Sequence, residues 1–204
     1  CNTTTSVTLQ RNKMNRKFPV PAAAIMAAAV FTGFASMLPS RGSGPQTDVA
    51  RYVIDTKEEI RHDLAAYTQG FFFHDGYLYE STGQYGESSF RKVDPATGKV
   101  LKQEILPAQY FGEGSCVFDG RAYILSWYEG TCFVYDIDSF TKLAELKYQG
   151  QGWGLTTDGR SLIMSDGTSR LSFRDPMTFI EQRTLTVRDG GDEVQYLNEL
   201  EYID

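Results

Sequence analysis

The stretch "CVFDGRAYILSWYEGTCFVYDIDSFTKLAELKY" (116–148) decides the fold, because it divides into four short strand-like runs separated by turns. An Asp-Gly pair, Asp119-Gly120, follows the first run. Such a pair between two apolar runs is the strongest short-range indication of a β-hairpin. A polar turn separates the second and third runs, and the third run ends at Asp136 before a Ser-Phe turn. The stretch therefore predicts a four-stranded antiparallel sheet.

The same pattern occurs twice more, over 71–106 and over 155–187. Asp-Gly pairs stand at 75–76 and 158–159, and Asp94 and Asp175 correspond to Asp136. Four strands in about 40 residues is typical of one β-propeller blade. The predicted fold class is therefore all-β. Residues 50–204 would form an incomplete β-propeller of about three blades, with "VQYLNELEYID" (194–204) starting a fourth.

The N-terminal region is interpreted separately from the blades. Residues 14–38, "MNRKFPVPAAAIMAAAVFTGFASML", begin with basic residues, continue with an apolar run and end with small residues. This is the layout of a secretory signal peptide, which is either cleaved or kept as a membrane anchor. We expect residues 1–13 to be an over-extended start before Met14, and residues 39–49 to be a linker. The predicted location is exported, periplasmic or secreted.

Composition excludes several classes of function. The net charge is −6 and no basic block follows residue 17, so we expect no nucleic-acid partner. Neither the two histidines, His62 and His74, nor the cysteines have metal-ligand spacing, so we expect no metal and no cofactor. Both histidines are expected in solvated polar loops. Cys116 and Cys132 would lie on strands separated by a third strand, roughly 9–10 Å apart, which predicts two buried free thiols. The protein is expected to be a monomer.

The segments between blades carry the candidate site. In a propeller these segments point toward the central axis, so their side chains converge on one face. Gln69, Glu113, Trp153 and Asn198 occupy similar phases in four such segments, and Trp127, placed in the second strand of its blade, would face the same way. One carboxylate, two indoles and two carboxamides suit a small organic ligand with amide and amine groups.

Each of these residues also has a structural interpretation. Glu113 in "YFGEGSC" (110–116) could be a turn carboxylate, although its shared phase with the other segments favours a pocket. The tryptophans could be core residues, and Gln69 and Asn198 could make turn hydrogen bonds. Glu199 and Glu201 are interpreted as structural.

Seven motifs resemble signatures of the plant- and bacterial-type glutaminyl-peptide cyclotransferases: "YTQGF", "LYESTGQYGESSFRKVD", "YFGEG", "LSW", "GWGLTTDG", "SDGTSRLSFRDP" and "LNELEYI". The resemblance runs from about residue 62 to the end. It implies a five-bladed propeller without catalytic zinc that converts N-terminal glutamine of peptides or proteins to pyroglutamate and ammonia. It also implies that Glu113 is the catalytic glutamate and that Gln69, Trp127, Trp153 and Asn198 are pocket residues.

Departures from the family pattern are few. Tyr67 stands where phenylalanine is usual, and Ser115-Cys116 stand where Leu-Thr is common. The family's further pocket tryptophan and lysine are expected beyond residue 204.

Two other classes of function fit the same blades. One is a non-catalytic propeller that binds peptides or partner proteins through its axial face. The other is a sugar- or lactone-hydrolysing propeller, which would gather several acidic residues and asparagine around a metal. Only Glu113 is well placed for the latter.

Overall fold

The computed structural model describes residues 59–203 and the backbone of Ala24–Ala27, and within them the dominant units are three four-stranded sheets. The first consists of β2 (Thr68–His74), β3 (Tyr77–Thr82), β4 (Ser89–Val93) and β5 (Val100–Ile105). The second consists of β6 (Gly112–Phe118), β7 (Arg121–Ser126), β8 (Thr131–Asp136) and β9 (Lys142–Lys147). The third consists of β10 (Leu155–Thr157), β11 (Leu162–Ser165), β12 (Arg170–Arg174) and β13 (Glu181–Thr186).

In every sheet the strands are antiparallel and lie side by side in sequence order. Sequential antiparallel strands joined by short turns form a propeller blade. The sequence-based prediction of three all-β blades over this part of the chain is confirmed.

The Asp-Gly turns take two different forms. Asp75-Gly76 and Asp119-Gly120 are two-residue hairpins in which all four residues have positive φ, between 45° and 83°. Glycine and aspartate tolerate this left-handed conformation, and it matches the twist of the flanking strands. The third turn is longer, because Thr157 pairs with Leu162.

The middle blade is buried on both faces, which explains its run of apolar residues. Ala122 and Ile124 of β7 pack in one core cluster with the first blade. The alternate residues Tyr123 and Leu125 pack in a second cluster with the third blade. Successive side chains of a strand point to opposite faces, so an inner strand of a blade held between two others can carry apolar residues at consecutive positions. The outermost strand β13 is exposed along its whole length.

Two short sheets complete the described elements. β14 (Arg188–Asp189) pairs with β15 (Asp192–Glu193), and β16 (Leu200–Ile203) pairs with β1 (Ala24–Ala27) in antiparallel register. β1 lies inside the segment interpreted as an export signal, and that interpretation stays a prediction. Residues 50–58, assigned to the propeller from sequence, lie outside the described residues. No helix in the described ranges has the length and apolarity needed to cross a bilayer.

The two thiols lie as predicted on strands separated by a third. Cys116 is on β6, Cys132 is on β8, and β7 runs between them. Both cysteines are free and buried, and burial raises the pKa of each thiol.

Candidate functional site

Gln69 and Glu113 both lie at irregular positions of the innermost strand of their blades. In the first blade the register of β2 against β3 shifts between Thr68 and Gly70, which leaves Gln69 outside the ladder. In the second blade the register of β6 against β7 shifts between Gly112 and Ser115, around Glu113. A β-bulge re-aims a side chain away from the regular alternation of a strand. The two bulges therefore free a carboxamide and a carboxylate to meet between neighbouring blades.

The glycines around Glu113 allow the inner strands to approach closely. The Gly114 N–H donates a hydrogen bond to the Trp153 carbonyl across the gap between the second and third blades, at 2.7 Å. A Cβ atom on Gly114 would lie 2.5 Å from that same carbonyl oxygen and 2.6 Å from Leu155 N. Only glycine fits such an approach of two backbones.

Glu113 is buried and makes its side-chain hydrogen bond with Gln69. Its side chain is 5% exposed, and Gln69 Nε2 donates to Glu113 Oε2 at 2.7 Å. Burial raises the pKa of Glu113 to about 8, the hydrogen bond from Gln69 opposes that rise, and the negative charge of Glu129 adds to it. At neutral pH the carboxyl group is therefore mostly protonated.

Glu129, which was not predicted from the sequence as a site residue, connects segments of two blades near the site through hydrogen bonds. Tyr85 donates its hydroxyl hydrogen to Glu129 Oε1 at 2.9 Å, and Phe111 N donates to Glu129 Oε2 at 3.4 Å. Tyr85 belongs to the loop between β3 and β4, whereas Glu129 belongs to the loop between β7 and β8. Glu129 thus joins the first and second blades at the end of the strands where Glu113 lies.

The two indoles share one hydrogen-bond acceptor. Trp127 Nε1 donates to Gln151 Oε1 at 2.9 Å, and Trp153 Nε1 donates to the same oxygen at 3.0 Å. Trp127 comes directly after β7, so its predicted place within the second strand is wrong by one residue. It reaches the site because its backbone N–H continues the ladder to the Phe111 carbonyl, at 2.9 Å. Both N–H groups are therefore occupied, and both indoles are partly buried.

Gln151 could not be identified as a site residue from the sequence. It lies among glycines in "YQGQGWG" (148–154), where a glutamine reads as an ordinary loop residue. Its function as a shared acceptor arises only when the end of one blade meets the start of the next.

Asn198 is placed at the corresponding segment after the third blade, but its side chain is exposed. Its backbone carbonyl accepts a hydrogen bond from Ser165 Oγ at 2.7 Å. The structure therefore joins Gln69 with Glu113, and Trp127 with Trp153. Asn198 contributes a backbone contact to the same group of segments.

The carboxyl group of Glu199, which the sequence analysis took as structural, is buried. Among the described residues its Oε2 atom has no hydrogen-bond partner. Burial raises its pKa well above the usual value, against a hydrogen bond from the Phe71 backbone, and Glu201 and Glu113 add to the rise. Glu201 lines a separate cavity of about 190 Å³ between the inner strands, with Cys116 among its walls. Neither carboxyl group belongs to the pair formed by Gln69 and Glu113.

The expectation of a solvated loop is confirmed for His62, which is exposed before the first strand of the blade, but it is wrong for His74, which is partly buried at the end of β2. His62 Nε2 lies 2.8 Å from Oε1 of the buried Glu80, and Thr68 donates its hydroxyl hydrogen to the same oxygen. His74 is the last residue of β2. His62 therefore fastens the segment before the first blade to that blade.

Acidic, histidine and cysteine side chains do not form a metal-binding group of three or more within residues 59–203. The carboxyl groups near the site are dispersed over Glu113, Glu129 and Glu199.

Comparison with known proteins identifies the family. The sequence profile described as glutamine cyclotransferase matches residues 25–204. The chain is 42% identical over 185 residues to the glutaminyl-peptide cyclotransferase of Arabidopsis thaliana, covering 88% of this chain and 58% of that protein. The crystal structure of Myxococcus xanthus glutaminyl cyclase is similar with a TM-score of 0.63 and 31% identity, over 68% of this chain and 58% of that one. The match thus spans little more than half the length of each relative.

Proposed function

Because the chain belongs to the glutamine cyclotransferase family, we propose that the protein is a glutaminyl-peptide cyclotransferase that converts N-terminal glutamine to pyroglutamate. Its substrates are peptides or proteins with an N-terminal glutaminyl residue, and its second product is ammonia. The observation that carries the proposal is the buried Glu113, hydrogen-bonded to Gln69, where burial raises the pKa of the carboxyl group to about 8.

The proposed reaction is an intramolecular displacement. The α-amine nitrogen of the substrate forms a bond to its own γ-amide carbon, and the bond from that carbon to the amide nitrogen breaks. The leaving nitrogen must gain one proton and the attacking nitrogen must lose one. Holding the two groups at about 3–3.5 Å supplies much of the acceleration of such a step.

Glu113 is suited to moving that proton. Gln69 donates to Oε2, which leaves Oε1 to carry the acidic proton. A carboxylic acid with a pKa near the working pH can give its proton to the leaving nitrogen and recover one from the attacking amine. The raised pKa of Glu113, about 8, keeps the acid form populated. Ammonia then leaves and Glu113 is protonated again, so the carboxyl group is unchanged over one cycle.

The indoles and carboxamides would position the substrate. Trp127 and Trp153 are fixed through Gln151, so their faces can enclose the aliphatic part of the glutamine side chain. Gln69 carries a carboxamide beside Glu113, which can orient the substrate amide. We propose the same orienting role for Asn198.

The test is the isosteric substitution Glu113→Gln. Since Glu113 is mostly neutral at pH 7, the amide replaces it with little change in charge. We expect kcat for ammonia release from a Gln-peptide to fall by roughly 10²–10⁴-fold, while the melting temperature changes little. Glu104→Gln is the matched control, because Glu104 is exposed on β5.

Two outcomes would contradict the assignment. Near-normal ammonia release by Glu113→Gln would remove Glu113 from the proton transfer. Binding of Gln-peptides without turnover by the unaltered protein would favour the alternative of a peptide-binding propeller.

Export is also proposed, from residues 14–38 alone. Determining the N-terminus of the protein recovered from the medium or periplasm would test it. Recovery of a peptide from residues 1–13 would show that translation starts before Met14.

A further inference from the structure

Three half-exposed tyrosine rings lie beside Phe111 and Trp127, next to the proposed active site. Tyr67, Tyr85 and Tyr128 are 52%, 53% and 57% exposed, whereas Phe111 is 9% exposed. We name the three tyrosines the tyrosine shelf. A tyrosine that served only the core would bury its ring, so the half-exposed rings leave an aromatic surface open to a ligand.

The tyrosine shelf is connected to the paired indoles through Phe111 and Trp127. The ring centroids of Tyr67 and Tyr85 lie 6.1 Å and 5.4 Å from that of Phe111, both in edge-to-face geometry. Phe111 lies 5.4 Å from Trp127, which in turn lies 4.2 Å from Tyr128. Trp127 therefore contacts the shelf and also belongs to the pair of indoles that shares Gln151.

The shelf is also held in place. The Tyr85 hydroxyl donates to Glu129, and the Tyr67 carbonyl accepts a hydrogen bond from Gly83 N at 2.8 Å. A Cβ atom on Gly83 would collide with the Phe111 ring, so this glycine lets the ring sit against the loop. A surface fixed before binding loses little conformational entropy when a ligand settles on it.

We propose that the tyrosine shelf binds the side chain of the residue that follows the N-terminal glutamine and that it favours an aromatic side chain there. This inference rests on the proposed cyclotransferase function. The glutamine must fold back on its own amine at Glu113, so the rest of the peptide has to leave over the adjoining face. The Cα atom of the second residue lies only about 3.8 Å from that of the first, and the shelf adjoins Trp127 of the proposed site.

The negative charge of Glu129 also affects which residue is preferred after the N-terminal glutamine. Glu129 lies between Tyr85 and Phe111 and carries the negative charge that contributes to the raised pKa of Glu113. An acidic second side chain would lie near that charge without a described cation beside it. We therefore expect Gln-Phe peptides to be preferred over Gln-Gly peptides, and Gln-Asp peptides to be the poorest.

The experiment measures kcat/KM for Gln-Phe-amide, Gln-Gly-amide and Gln-Asp-amide by ammonia release. An aromatic contact of this kind corresponds to about a 2- to 10-fold preference for Gln-Phe over Gln-Gly. Tyr85→Ala and Tyr128→Ala should each bring this ratio toward one, mainly through KM. Tyr77→Ala is the matched control, because Tyr77 is an exposed tyrosine at the opposite end of β3, and it should leave the ratio unchanged.

The possible results distinguish a failure of the shelf proposal from a failure of the proposed cyclotransferase activity. Turnover with equal kcat/KM for Gln-Phe-amide and Gln-Gly-amide would overturn the proposed role of the shelf but would support the cyclotransferase activity. A ratio that survives both tyrosine substitutions would also overturn the proposed role of the shelf. If none of the three amides is turned over, titration of tryptophan fluorescence decides the matter. Tighter binding of Gln-Phe-amide than of Gln-Gly-amide then supports the shelf although the activity has failed, and equal binding overturns both.

Discussion

Replacing Gln151 with leucine should disturb both tryptophans of the chain at once. Leucine has nearly the same volume but no acceptor, so the N–H groups of Trp127 and Trp153, now 2.9 Å and 3.0 Å from one oxygen, lose their partner. A hydrogen bond contributes about 0.5–1.5 kcal/mol net. Water can replace part of the loss because Gln151 is only half-buried. We therefore expect a total cost of about 1–2 kcal/mol, within the sum for two such bonds.

If the orientation of the indoles matters in the transition state, that cost lowers kcat/KM for a Gln-peptide by about 5- to 30-fold. Fluorescence provides a second measurement that a general loss of stability would not mimic. The chain contains 2 tryptophans, and both are at this site. In Gln151→Leu the folded protein should therefore show a shifted emission maximum and stronger quenching by acrylamide.

Two variants control the experiment. Gln151→Glu keeps an acceptor oxygen on a stem of equal length, so it should retain more activity and a more native-like emission than the leucine variant. Gln103→Leu makes the same chemical change on the exposed strand β5. If Gln151→Leu has the same emission and quenching as Gln103→Leu, and the two values of kcat/KM agree within about twofold, then the shared hydrogen bonds do not position the indoles. The loss of one hydrogen bond would give a larger difference in kcat/KM.

Three further predictions concern protonation and packing. The rate of ammonia release should fall as pH rises through about 8, where Glu113 loses its proton. Glu129→Gln should move this alkaline limb of the pH–rate profile to lower pH, because it removes a negative charge that raises the pKa of Glu113. An alkaline limb at the same pH in the variant would contradict this prediction. Gly154→Ala should lower the free energy of unfolding in urea by about 1–3 kcal/mol, because its Cβ would collide with the backbone of the next inter-blade segment. Cys116 and Cys132, buried with raised pKa values, should react with a thiol reagent only after denaturation. Rapid labelling of either one in the native protein, distinguished from Cys1 by peptide mapping, would show that the strands open.

The blades could be predicted from the sequence because their determinants are local. Asp75-Gly76 and Asp119-Gly120 both adopt positive φ, which these residue types tolerate, so the two turns and the strands beside them follow from neighbouring residues. The third Asp-Gly pair looked identical in the sequence but lies in a longer turn, because Thr157 pairs not with Arg160 but with Leu162, two residues further along the second strand. Residue type alone does not set the register of that hairpin.

The candidate site was predicted only in part, for a related reason. The phase of Glu113 and Gln69 in the repeat indicated that they share a face, since each blade repeats the same chain path. Their direct contact depends on two bulges and on a close approach of backbones at Gly114. These are properties of strand pairing between blades, and the residue pattern within one blade does not contain them.

By itself, then, the sequence determined the repeating strands, their turns and the segments that converge at the axis, because each is governed by residues close together in the chain. The tertiary structure alone decided which groups meet there. It made Gln151 the common acceptor of two indoles from different blades, and it placed Glu129 beside Glu113. The proton that Glu113 keeps at neutral pH has the same origin, since it is held by burial that only the packed blades provide.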